Sequence, residues 1–168
     1  MELVLSTAAV ILSLISMWFS WWTWRESNRP VVAAIVRTRE GGNLAIAYEL
    51  VVMNVGSRPA VGIRIQCDEG GLQRALTDSE KVPFLDDVRR CFLPESIFPF
   101  IKDGESVANS FGVTRGEPSD STWRPGARFG VTITYRDLSH RRHYTSSMEL
   151  AIIDSDTFAG SSWGKARP

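Results

Sequence analysis

Charge is missing first. From Leu3 to Trp24 the chain reads LVLSTAAVILSLISMWFSWWTW, without one Asp, Glu, Lys or Arg. A helix of that length runs ~33 Å, against a hydrocarbon core of ~30 Å. No Lys or Arg precedes the run, and no small-residue cleavage site ends it. Both absences argue against a removable secretory leader, which needs a basic start and an A-x-A-like exit. The run closes on Trp18, Phe19, Trp21, Trp22 and Trp24. Indole rings settle at headgroup level, with the N–H wet. Residues 1–24 therefore read as one uncleaved transmembrane helix, with membrane lipid as its first partner.

Other scarcities narrow the chemistry. Lysine occurs only 3 times against 16 arginines, and the formal net charge is +0. No strong field favours nucleic acid, so no nucleic-acid partner is expected. Cys67 and Cys91 are the only cysteines. No C-x-x-C or Cys/His spacing suggests a metal, and no cofactor is expected. G-x-S-x-G, P-loop, H-E-x-x-H and kinase signatures are absent. His140 and His143, the only histidines, share one segment with Asp137. A base and its orienter can be drawn there, but no motif places a Ser or Cys nucleophile. The chain reads as non-enzymatic, with no catalytic residue.

What is present begins with the flanks of the span. Arg25, Arg29, Arg37 and Arg39 follow it within about 15–20 residues, the range in which basic bias sets orientation. That predicts a cytoplasmic C-terminal domain, in which Cys67 and Cys91 are reduced core thiols. The opposite orientation would make them a candidate disulfide. Within the span, Ser6, Ala9, Ser13, Ser16, Ser20 and Thr23 recur at alternating spacings of three and four. Such a heptad puts small residues on one stripe, a surface for close helix–helix contact and a homo-oligomer. The alternative is that each hydroxyl only satisfies its own helix. Leu5, Val10, Leu12, Leu14, Ile15, Phe19 and Trp22 lie on the other faces, suited to lipid.

Residues 25–30 are a short juxtamembrane linker, and residues 31–154 are long enough for one domain with a core. Val31–Arg39, Leu44–Met53, Val61–Cys67, Ser106–Val113, Phe129–Tyr135 and Arg142–Ile153 read as strands. Leu44, Ile46, Tyr48, Leu50 and Val52 alternate on one face, as do Phe129, Val131, Ile133 and Tyr135. Residues 68–103 are an irregular insertion with helical turns at Leu72–Val82 and Leu85–Phe92, expected to plug an open end of the sandwich; the alternative is a partner-binding or membrane-contacting surface. Residues 155–168 are polar and Gly/Ser-rich, and are expected to be disordered. About seven strands without a βαβ pattern predict a mainly β, antiparallel Ig-like β-sandwich of about seven strands, preceded by one N-terminal transmembrane helix.

Between the second and third strands lies Asn54-Val55-Gly56-Ser57-Arg58-Pro59-Ala60. Asn54, Gly56, Pro59 and Ala60 read as a structural corner: Asn bonds its own backbone, Gly takes a positive φ, and Pro fixes φ before the next strand. This N-x-G-x-x-P-A pattern resembles the corner of single-span bacterial and phage membrane proteins with an Ig-like, CARDB-like β-sandwich. The resemblance spans seven residues; it implies a fold and an inner (plasma) membrane location, and carries no activity. Arg136, His140, Arg141, Arg142 and His143 cluster in the last hairpin, where they can bind an anion or a lipid headgroup. A solvated hairpin tip is the plainer alternative.

Together these features read as a membrane-anchored binding or assembly module, self-associating through its span and presenting its sandwich to a cytoplasmic protein partner. An alternative is a membrane effector, of a phage or host-defence system, whose assembled spans perturb the bilayer. A third reading is an external adhesion module. The orientation is directly testable: a reporter fused after Pro168 and active only outside the cytoplasm should stay silent. Activity there would reverse the topology.

Overall fold

The computed structural model describes residues 2–42, 44–78 and 82–153. An N-terminal helix, α1 (Glu2–Ser27), precedes β1 (Val32–Gly41), β2 (Ala45–Asn54) and β3 (Ala60–Cys67). Two short helices follow, α2 (Glu69–Ala75) and α3 (Leu85–Arg90), then β4 (Ile97–Ile101), β5 (Ser106–Arg115), β6 (Arg128–Asp137) and β7 (His143–Ala151). Over Ser6–Ser27, α1 is long and apolar enough to cross a membrane. It is exposed along its whole length from Ser6 to Trp24.

The seven strands form two antiparallel sheets, ordered β1-β2-β5 and β4-β3-β6-β7. Period-two alternation turns one face of each sheet inward. Val32, Ala34, Tyr48, Leu50, Val52 and Phe111 from the first sheet meet Ile63, Ile65, Val131, Ile133, Tyr135 and Leu150 from the second in one core. The four β6 residues expected to face inward are all buried. In β2, Tyr48, Leu50 and Val52 are buried, but Leu44 is 87% exposed because it precedes the paired strand.

Within 68–103 the described residues form two short helices and a strand. Asp68, expected to end a strand, caps α2: its carboxylate accepts from the Gly71 amide at 2.9 Å. The Gly pair therefore opens a helix, because the cap satisfies its first free donors. Leu72, Ala75 and Leu76, with Val88 and Cys91 from the α3 region, enter the core and close the end of the sandwich. Ile97–Ile101 is a strand that alternation does not reveal. It lies at a sheet edge, where Pro99 is tolerated because its missing N–H leaves no ladder bond unmade.

The polar loop before β6 hides the largest fully buried side chain, Trp123. Its ring lies 4.8 Å from Phe111 and 5.6 Å from Phe129, centroid to centroid. Its indole N–H donates to the Phe111 carbonyl, so burial leaves no polar atom unpaired. Beside it, Gly112 adopts φ +84 in a bulge of β5 opposite Tyr48, and a β-carbon there would lie 2.8 Å from the Thr122 side chain. Residues 155–168, expected to be disordered, lie outside the described residues.

Cys67 and Cys91 are both free thiols. Burial raises the pKa of each, and nearby carboxylates, Glu69 and Asp68 at Cys67 and Asp87 at Cys91, push the same way. A raised thiol pKa means less thiolate in the folded chain than in the unfolded one. Alkylation by iodoacetamide near neutral pH should therefore be slow when folded and fast in denaturant. The sign for stability follows: the contribution is complete below the unfolded pKa and is lost as pH climbs through the folded one. Equal alkylation rates in the two states would contradict it.

Candidate functional site at the helix-proximal end

One end of the sandwich is built around Asn54, the last residue of β2. Asn is short, can bond main chain on both sides of its amide, and suits turns. Its Oδ1 accepts from the amides of Val31 at 3.2 Å and Gly56 at 3.1 Å. Its Nδ2 donates to the carbonyls of Arg58 at 2.7 Å and Ile101 at 3.2 Å. Its own amide donates to Glu105, and its carbonyl accepts from Gly104. The side chain is 1% exposed and fully satisfied. It ties the start of β1, the 54–60 corner, the end of β4 and the 102–105 turn into one knot.

Gly56 serves this knot differently from the expectation. It does not adopt a positive φ. A β-carbon on it would lie 2.3 Å from the Val31 nitrogen and 2.4 Å from the Arg29 carbonyl. Glycine is required by close approach of two backbones, the corner and the linker. The linker is strapped there: the Val55 amide donates to Val31 at 2.8 Å, and the Ser57 amide to Arg29 at 3.3 Å. Pro59 then leads into Ala60, buried at the first position of β3.

The strap reaches the helix. Ser57 Oγ donates to the Ser27 carbonyl at 3.0 Å, taking one of the last free carbonyls of α1. The Arg58 guanidinium lies 5.3 Å from the Trp24 ring centroid, a cation–π contact. Arg25 lies 4.8 Å from the Trp21 ring in the same way. Asn28 closes the helix by donating from both its amide and its side chain to the Trp24 carbonyl. Sequence alone left Ser57 and Arg58 as corner residues; nothing local signalled that they meet the helix.

The basic hairpin lies at this same end. Ala60 pairs with both Ile101 and Asp137, and Val32 pairs with Asn54. The linker, the 54–60 corner, the 102–105 turn and the 138–142 hairpin therefore share one end. Arg136 faces His143 across β6 and β7. The Asp137 carboxylate is occupied inside the hairpin, accepting from Ser139 Oγ at 2.8 Å and from the amides of Arg141 and Arg142. It forms the turn and orients no histidine. His140 sits at φ 57, and Arg141 and His143 are exposed while Arg142 is half-buried.

The stripe positions Ser6, Ala9, Ser13, Ser16, Ser20 and Thr23 are all exposed on α1, covered by no part of the sandwich. Among the described residues, no group of three or more His, Cys, Asp and Glu side chains could hold a metal.

Residues 3–157 match a family described as a domain of unknown function, DUF8453. The chain belongs to this family. The matched range takes in α1 but for its first residue and all seven strands. No curated protein matches the chain.

The close approach at Gly56 carries its own expectation. Gly56→Ala should cost about 1–3 kcal/mol, the range for overpacking where the surroundings are backbone and cannot yield. Thermal unfolding of the purified chain reads it as a lowered Tm. A variant melting with the wild type would show that the linker is not held against the corner.

Proposed function

We propose that this DUF8453 member is a membrane-anchored, non-enzymatic assembly module. Its single span self-associates through the small-residue stripe, and its Ig-like sandwich stands on the cytoplasmic face of a bacterial inner membrane to engage a protein partner. One observation carries the reading: α1 is exposed from Ser6 to Trp24, while its last turn is fastened to the domain. An apolar helix with no cover of its own needs lipid and other helices around it. The orientation rests on Arg25 and Arg29 after the span.

Two antiparallel sheets of seven strands support the Ig-like part of the reading, with one departure from the constant-type order. A constant-type Ig domain carries its fourth strand on the first sheet. Here the fourth strand, β4, lies beside β3 on the second sheet.

In lipid no hydrophobic force draws helices together, so close packing must supply the contact. Ser13→Leu or Ser16→Leu should hold the backbones apart and weaken self-association, while Leu12→Ala, off the stripe, should do so much less. Each interhelical hydroxyl bond is worth only ~0.6–2 kcal/mol, so single Ser→Ala changes should be almost silent. Cross-linking of the full chain in membranes reads this out, and equal ladders from all variants would remove the stripe as an interface. Collapse of the membrane potential on induced expression would favour a membrane effector instead.

A further inference from the structure

Two apolar side chains stand out at the helix-proximal end. Val55 in the corner and Leu138 in the hairpin are each 60% exposed. They leave the sandwich beside Ala60 and Asp137, which are paired neighbours. Arg58, Lys102, His140, Arg141 and Arg142 lie on the three loops that the pairing of Ala60 with Ile101 and Asp137 gathers at this end. The acidic groups at this end are fewer in effect. Glu26 is paired with Arg29 at 2.8 Å, and Asp137 is consumed by its own hairpin. Asp103 and Glu105 remain on the 102–105 turn. Among the described residues, Arg58, Lys102, Arg141 and Arg142 make no ion pair with a carboxylate.

The depth of this end is set by α1. Ser6 to Trp24 covers about 28 Å of helix, close to the ~30 Å of a hydrocarbon core. Trp24 then falls at headgroup level, where indole rings settle. Arg58 stacks on that ring at 5.3 Å, so the corner reaches the same level. The strap between corner and linker keeps it there. Loops at headgroup depth, bearing exposed apolar tips ringed by arginine, match an anionic leaflet in both charge and polarity.

We propose that the helix-proximal end of the sandwich is a headgroup-binding face that docks on the anionic leaflet of the bilayer crossed by α1. Arg58, Lys102, His140, Arg141 and Arg142 meet the lipid phosphates, and Val55 and Leu138 enter the acyl boundary. This rests on the reading of α1 as a span. It also reassigns the hairpin cluster: Arg136 and His143 sit on the strands behind the tip, while Arg58 and Lys102 join from loops far away in sequence.

The experiment uses the full chain in vesicles of phosphatidylcholine alone and of phosphatidylcholine mixed with phosphatidylglycerol. Hydrogen exchange is followed by mass spectrometry in peptides covering 54–60 and 136–143, with 116–127 at the far end as the internal control. Exchange at the two proximal peptides should slow in the anionic vesicles, with about fivefold of the effect lost per arginine removed. Arg141→Glu with Arg142→Glu should restore the neutral-vesicle rates, as should Leu138→Glu in part. Leu138 and Arg141 are exposed and Arg142 is half-buried, and the changes leave the Asp137 bonds to the backbone amides of 141 and 142 in place. Equal rates in the two vesicles would overturn the face. So would the same slowing on adding inorganic phosphate to neutral vesicles, since that marks a free-anion site. Protease protection of α1 in each vesicle separates the two readings: an unprotected helix overturns the span and the face together, and a protected helix with indifferent loops overturns the face alone.

Discussion

Hydrogen bonds converge on Asn54 from the linker, the corner, the fourth strand and the turn that follows it. A buried amide is costly unless every donor and acceptor is matched. Here the oxygen faces two amides and the nitrogen faces two carbonyls, so the orientation of the group follows from its partners. Removing the side chain would orphan four backbone groups at once. The start of β1, and through it the exit of the helix, is positioned by this one residue.

The rest of the proximal end follows from that placement. With Val31 held, Arg29 and Pro30 lie against Gly56, leaving no room for a β-carbon. With the corner held, Ser57 reaches the last turn of α1 and Arg58 reaches Trp24. Individually these surface contacts are worth little. Their effect is geometric, because they remove the freedom that a short linker would otherwise have.

Much of the fold was legible because alternation marks a half-buried strand directly. Phe129, Val131, Ile133 and Tyr135 in β6 needed no tertiary information. What stayed hidden depended on contacts distant in sequence. Ile97–Ile101 lacks alternation, since an edge strand with Pro99 buries little of itself. Trp123 has polar neighbours in sequence, and its burial comes only from the packing of Phe111 and Phe129 against it. Asp68 and the Gly pair after it carry no apolar periodicity, although one carboxylate bond to Gly71 starts a helix there. Gly56 was correctly singled out for the wrong reason, because the crowding backbone lies some 25 residues upstream. The proximal face was legible only in part. The hairpin bases are contiguous, but Val55, Arg58 and Lys102 join them only through the strand register.

The strap also has a mechanical meaning. A sandwich on a slack tether would wander over every heading relative to its helix, and spin of the helix would be lost before reaching it. Fastened at Ser27 and Trp24, the two parts share one rotational coordinate. An α-helix turns ~100° per residue, so one residue added between Trp24 and Arg29 would swing the sandwich by about a quarter of a revolution. The compass bearing of each strand is thereby written in the helix itself. A rotation of α1 about its own axis arrives at the far end of the domain, some ten residues of strand away, as a change of heading.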